Sequence, residues 1–214
     1  MKPSSSNHLK RFLHTAAAAA LAMCAISCKS TGTMTSGRIT SDKFDPPAYR
    51  PHNPAAVRVK LSTGAQRLYV VEDNRVLLST PCSVGTASDP TPKGNFRIYS
   101  KQANRRRQSQ PDAGYPMAYW MEFKPAYGIH WGFVKPYPCT HGCVRLPMKS
   151  AAKVFAMIPM GAPLNVAVSQ PEDATHGCNL PVIDDGPLPN PPRSYLLSPQ
   201  FFEDANYKGK MFVD

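Results

Sequence analysis

Cys143 stands in the run Thr140-His141-Gly142-Cys143-Val144-Arg145-Leu146-Pro147, 13 positions after His130 in Tyr127-Gly128-Ile129-His130-Trp131. A thiol, two imidazoles, a glycine and a guanidinium in so short a span fit cysteine-based acyl transfer. A cysteine nucleophile needs a base or a cation nearby to favour its thiolate. Histidine titrates near neutral pH, so it can take the thiol proton and return it to a leaving amine. Gly142 lets the backbone come close to a substrate. The Gly142 and Cys143 N–H groups could then hold the oxyanion of a tetrahedral intermediate. If the segment is extended, Cys143 and Arg145 share a face, and Arg145 could hold a substrate carboxylate. His130, Cys139, His141 and Cys143 could alternatively supply four nitrogen and sulfur ligands to a metal. Cys-x-His-x-Cys is tight for one tetrahedron, however, and Arg145 sits badly beside a cation. A papain-like hydrolase fits less well, because such chains place the cysteine before the histidine.

The surrounding pattern is mainly β with one principal helix. Val57-Arg58-Val59-Lys60-Leu61 alternates apolar and polar residues, as a half-buried strand does. Leu68–Val71 and Val76–Leu78 read as a hairpin around the polar turn Glu72-Asp73-Asn74-Arg75. Pro90–Gly94 reads as a turn, and Phe96–Tyr99, Ala118–Phe123, Gly128–Trp131 and Leu164–Val168 as further strands. Gln102–Gly114, with Arg105-Arg106-Arg107, reads as an exposed loop. The spacing of Ala151, Val154, Phe155 and Ile158 predicts a helix over 147–157, with Pro147 suited to its first turn and Gly161 beyond its end.

The N-terminus has the pattern of an export signal. Lys2, Lys10 and Arg11 precede an apolar, Ala-rich run that extends to Ser27. Ala25-Ile26-Ser27-Cys28 resembles the lipobox of bacterial lipoproteins, which implies a lipid anchor at Cys28 and a membrane partner. Residues 29–54, rich in Ser, Thr, Gly and Pro, read as a tether. Residues 170–214 hold seven prolines and read as a largely irregular tail. The expected organisation is therefore signal 1–27, flexible tether 28–54, catalytic domain 55–169 and Pro-rich tail 170–214.

Across about 56–168 the chain resembles the L,D-transpeptidases of the YkuD type. Their signature is an upstream Ile-His, here Ile129-His130, followed by Ser/Thr-His-Gly-Cys-Val/Ile-Arg, here Thr140–Arg145. Gln66–Val70, Ser83-Val84-Gly85, Thr91–Phe96 and Gly161–Val166 resemble further stretches of the family in order. The resemblance implies a mixed β-sandwich and assigns roles residue by residue. Cys143 would be the nucleophile and His130 its proton carrier, oriented by the carbonyl of Trp131. His141, the other catalytic candidate, would shape the site and assist as a second imidazole, Gly142 would help form the oxyanion hole, and Arg145 would bind the substrate. The substrate would be a peptidoglycan stem peptide and the product a 3→3 cross-link or an anchored protein. No cofactor is implied, and a monomer is expected. The interval from His130 to Cys143 is shorter than usual, which implies an abbreviated loop. Trp131 also replaces a small residue.

The charge and the cysteines fall into place around that expectation. Of 214 residues, 25 are Lys or Arg and 14 are Asp or Glu, for a net charge of +11. Loss of Lys2, Lys10 and Arg11 with the signal lowers this to +8. An anionic cell envelope facing the periplasm or wall is the expected partner, not nucleic acid, for which no motif is present. Six cysteines separate into Cys24 in the signal, Cys28 as the anchor, Cys143 as the nucleophile, and Cys82, Cys139 and Cys178. A bridge between two of these last three is expected in an oxidising compartment, with Cys139 also a candidate redox partner of Cys143. Thr175-His176-Gly177-Cys178 repeats the motif core without its Val-Arg, and reads as coincidence or a disulfide position. The alternatives to transfer are L,D-carboxypeptidase hydrolysis on the same scaffold and a non-catalytic wall-binding module.

Overall fold

The alternating run at Val57 forms the strand β1, Val57–Ser62, and buries Val57, Val59 and Leu61. The hairpin that follows is β2, Arg67–Glu72, and β3, Arg75–Pro81. Its two-residue turn puts Asp73 at φ 50°, a conformation Asp tolerates better than most residues. In this computed structural model, which describes residues 38–213, two sheets enclose the core. The first contains β3, β2, β1, β9 (Pro163–Ala167) and β4 (Gly94–Arg97) in that order. Strand β9 runs parallel to β1 and antiparallel to β4. The second contains β5 (Ser100–Arg106), β6 (Pro116–Lys124), β7 (Tyr127–Trp131) and β8 (Val144–Leu146). Strands β5, β6 and β7 form an antiparallel meander, and β8 then pairs parallel to β7. The chain passes between the sheets at Ile98 and Tyr99, whose N–H groups donate to Ala162 of one sheet's rim and Glu122 of the other sheet.

One apolar cluster unites both sheets with the helix α1, Met148–Met157. It holds Leu61, Leu68 and Val70 from the first sheet, Met121, Ile129 and Leu146 from the second, and Val154 and Met157 from α1. Pro147 caps α1 from one position outside it. The Thr80 hydroxyl donates to Ser150 Oγ at 2.8 Å, tying α1 to β3. The observed architecture is mainly β with one principal helix and two mixed layers.

Three expectations differ from this structure. Gln102–Gly114 is not all loop, because its first half completes β5. Strand β5 carries no large apolar residue, so no hydrophobic alternation marked it. The flanks are also ordered against the domain. Within the expected tether, Ala48 is fully buried and Phe44 packs with Val134 and Ile183. Lys153 of α1 donates to Asp45 Oδ1 at 2.5 Å and to the Pro46 carbonyl at 2.7 Å. Within the expected tail, Pro192 and Pro199 cap two short helices, α2 (Arg193–Leu197) and α3 (Gln200–Ala205). Proline fits such a position because its fixed φ suits a helix start and its missing N–H has no partner to lose. Tyr49 and Val213 bridge the two flanks, as do Ile39 and Ile183. The signal segment and Cys28 lie outside the described residues. Among the described residues no helix is long and apolar enough to cross a membrane.

The C-terminal arm grips the domain through Phe201, which is 4% exposed and packs tilted against Trp131 at 4.7 Å between centroids. Truncating a buried aromatic typically costs about 3–5 kcal/mol. Phe201→Ala should therefore lower the melting temperature clearly, and an unchanged melting curve would mean the arm is not part of the folded unit.

Candidate active site

Cys143 sits immediately before β8, and His130 lies on β7. Their placement follows from the parallel register, which pairs Ile129 with Val144 and His130 with Arg145. Side chains alternate along a strand, so Arg145 shares the face of His130, and Cys143, two residues earlier, joins them. All three line one cavity of about 370 Å³. His141, exposed, stands on its rim.

Two buried threonines hold the loop that carries Cys143. Thr140 Oγ1 donates to the Cys143 carbonyl at 2.6 Å and accepts from the Gly142 N–H at 3.1 Å. Thr91 Oγ1 donates to the Gly142 carbonyl at 2.9 Å and accepts from the Gly85 N–H at 2.9 Å. The segment Ser83–Gly85 adds backbone bonds to Cys139, Thr140 and Arg145. Gly142 has φ +99°, and a Cβ there would lie 2.4 Å from the Tyr127 ring. No other residue fits without moving that ring. The expectation that Gly142 N–H serves an oxyanion meets a correction here, since that N–H is occupied by Thr140. Thr91 and Thr140 were quoted in the sequence as parts of motifs, but only the fold shows what their hydroxyls hold.

His130 is buried, and its Nδ1 lies 2.5 Å from the Trp131 carbonyl. A carbonyl only accepts, so Nδ1 carries the proton and Nε2 is left basic. Burial pushes the His130 pKa down to about 3, with Arg145 adding to the effect and the Trp131 bond opposing it. Burial likewise pushes the Cys143 thiol up. The Gly128 backbone hydrogen bond and the cations Arg145, Arg107 and Arg105 pull it the other way. The Cys143 thiol donates to the Ala126 carbonyl at 3.7 Å. The resting pair is therefore a neutral thiol beside a neutral imidazole.

Trp120, 1% exposed, forms the floor and was not singled out in the sequence. Its indole lies so close over Gly128 that a Cβ there would be 2.6 Å from the ring. The same indole packs against His130 at 5.6 Å and under the Arg105 guanidinium at 4.6 Å. The arginine triplet divides by strand alternation. Arg105 and Arg107 line the cavity. Arg106 points to the other side, where it donates to the carbonyls of Gly114, Leu196 and Ser198. Gln108 and Ser109, in the β5–β6 loop, complete the rim.

The other cysteines separate from this site. Cys82 and Cys139 are free, as is Cys143. The bridge expected within Cys82, Cys139 and Cys178 therefore does not form, and Cys139 and Cys143 are not joined. Cys82 is fully buried under β-sheet residues, where it acts as a small apolar side chain. Cys178 is disulfide-bonded, and the Thr175–Cys178 repeat does not line the cavity. Among the described residues no group of three or more His, Cys, Asp or Glu gathers to hold a metal ion.

The parallel strand pair of a mixed β-sandwich thus brings a cysteine and a carbonyl-oriented histidine into one cavity. The family signature of the YkuD L,D-transpeptidase catalytic domain matches residues 56–166. The chain belongs to that family. It is 31% identical over 114 residues to the YkuD protein of Bacillus subtilis (strain 168), covering 50% of this chain and 64% of that one. The alignment thus spans less than two thirds of that relative. The YkuD protein of Bacillus licheniformis is 27% identical over 126 residues, covering 56% of this chain and 71% of the relative. Among solved structures, an L,D-transpeptidase from Stackebrandtia nassauensis aligns at 23% identity and a TM-score of 0.49, covering 58% of this chain and 60% of that one.

Thr91→Val keeps the volume but removes both hydrogen bonds of a buried hydroxyl. The expected loss is about 1–3 kcal/mol in denaturant unfolding, together with a fall in whatever reaction Cys143 performs. Unchanged stability would show that Gly142 needs no such restraint. The raised thiol has its own signature. Iodoacetamide labelling of Cys143 should climb about tenfold per pH unit from neutral pH into the alkaline range. A plateau between about pH 5 and 8 would instead report a thiolate–imidazolium pair. Because His130 is held neutral in the fold, it protonates more readily when unfolded. Stability should therefore fall as pH drops below the usual histidine range towards 3.

Proposed function

We propose that this protein is a cysteine-dependent L,D-transpeptidase acting on peptidoglycan stem peptides. Family membership over residues 56–166 supports the reaction class. The observation that carries the residue assignment is the cavity shared by Cys143 and a His130 whose Nδ1 is committed to the Trp131 carbonyl. Cys143 Sγ attacks the carbonyl of the third stem residue, and its proton passes to the basic Nε2 of His130. The new S–C bond forms as the C–N bond to the terminal D-amino acid breaks. His130 returns the proton to that departing amine. An acceptor amine then displaces the thiol, giving an amide and restoring Cys143. The acceptor is another stem's diamino acid or a protein lysine.

The Cys143 N–H supplies the principal oxyanion donor, because the Gly142 N–H is engaged with Thr140. Arg145, next to His130 in register, holds a substrate carboxylate. His141 shapes the rim. The N-terminal pattern supports export and lipid attachment at Cys28, which would keep the domain at a membrane surface facing the periplasm or wall.

Incubation with purified disaccharide-tetrapeptide, followed by mass spectrometry, tests the reading. Cross-linked dimers and a thioester adduct on Cys143 are expected, and Cys143→Ala should abolish both. Tripeptide without dimers would reassign the protein as an L,D-carboxypeptidase. An unchanged substrate with wild type and variant alike would overturn the enzyme.

A further inference from the structure

The cavity around Cys143 carries more positive charge than one carboxylate contact needs. Arg105, Arg107 and Arg145 all line it, and no Asp or Glu does. Arg145 comes from β8, beside the thiol. Arg105 and Arg107 come from the opposite edge of the sheet, at the end of β5. The two sets therefore face the cavity from different sides.

The β5 pair is only loosely neutralised. Glu122 approaches Arg105 no closer than 3.9 Å, beyond hydrogen-bond distance. Arg105 Nε is buried and has no acceptor. A buried donor without a partner costs free energy, so Glu122 leaves this guanidinium incompletely satisfied. Trp120 holds the Arg105 guanidinium in place by stacking beneath it. Arg107 is held by Ser109, which accepts from its Nε at 3.0 Å through Oγ, and lies 3.4 Å from the half-exposed Asp112. Both guanidiniums are thus positioned, and both have donors in reserve. Arginine's planar fork suits a carboxylate. An ammonium group would be repelled by three cations and met by no anion.

We propose that Arg105 and Arg107 form a second anion subsite, which requires the acylating peptide to carry a free carboxylate in addition to the one Arg145 holds. The donor is then a peptide with at least two carboxylates flanking the scissile bond. Amidation of the second one removes recognition. The identity of the donor rests on the transpeptidase reading, whereas the anion subsite itself does not.

Two measurements on the purified protein separate these. In the first, Cys143 is alkylated by iodoacetate or by iodoacetamide at one pH, with the Cys143 and Cys139 peptides quantified by mass spectrometry. Both reagents consume the thiolate and expel iodide, so their rate ratio is independent of thiol ionisation. The iodoacetate/iodoacetamide ratio at Cys143 should fall about tenfold to a hundredfold in an Arg105→Gln, Arg107→Gln double variant, while the ratio at Cys139 stays put. Arg107→Gln alone serves if the double variant's melting curve shows it unfolded, and should show part of the fall. An unchanged ratio at Cys143 overturns the subsite. In the second, tetrapeptides with each carboxylate amidated in turn are offered as donors. One amidation should lower kcat/KM about tenfold or more in wild type and much less in the variant. Equal rates for free and amidated peptides overturn the selectivity. Failure of every peptide to acylate Cys143, with the alkylation ratio behaving as expected, would sink the transpeptidase reading and leave the anion subsite standing.

Discussion

The parallel pairing of two short strands, β7 and β8, governs the rest of this structure. Parallel strands cannot be joined by a tight turn, so residues 132–143 must leave β7 and return to its starting end. That return delivers Cys143 to the edge of the sheet with a sharp bend at Gly142. A three-residue strand has few ladder bonds of its own. Its position therefore depends on bonds from outside, and Ser83–Gly85, Thr91 and Thr140 provide them. The first sheet's hairpin thus extends into the restraints on a site built on the second sheet.

Burial sets the electrostatics of the site. Enclosing His130 under Trp120, with Arg145 beside it, disfavours the imidazolium. The same enclosure disfavours the Cys143 thiolate, although three arginines pull towards it. The site therefore rests with a neutral thiol and a neutral imidazole. The buried neutral imidazole makes the fold sensitive to acid, while the protonated thiol is a weak target for stray electrophiles.

Much of this was legible in the residues. Alternation marked β1 and the hairpin, helical spacing marked α1, and the motif around Cys143 marked the site. What stayed hidden has physical causes. Strand β5, Ser-Lys-Gln-Ala-Asn-Arg-Arg, lies at the sheet edge with little apolar burial, so its period-two pattern is written in arginines instead of hydrophobes. Only the fold shows that Arg106 points away from its two neighbours. Thr91 reaches Gly142 from 51 positions away, and Trp120 meets Arg105, Gly128 and His130 only through strand pairing, which local patterns do not encode. The flanks misled because Pro-rich composition suggests irregularity, whereas here the prolines cap short helices that dock.

Trp131 links the docked arm to the chemistry. The family pattern places a small residue after the histidine, and an indole there needs apolar cover. Tyr115 stacks against it at 6.3 Å and Phe201 packs on it at 4.7 Å. Together they leave it 8% exposed. Aromatic contacts of this kind add to the hydrophobic gain from the buried area. The backbone carbonyl of that same residue accepts the hydrogen bond from His130 Nδ1–H. The C-terminal arm therefore packs on the residue whose carbonyl orients His130. Arg106 secures the same arm from beneath by bonding the Leu196 and Ser198 carbonyls. The Trp131 indole and the docked arm cover each other's apolar surface. Each would leave exposed apolar surface without the other.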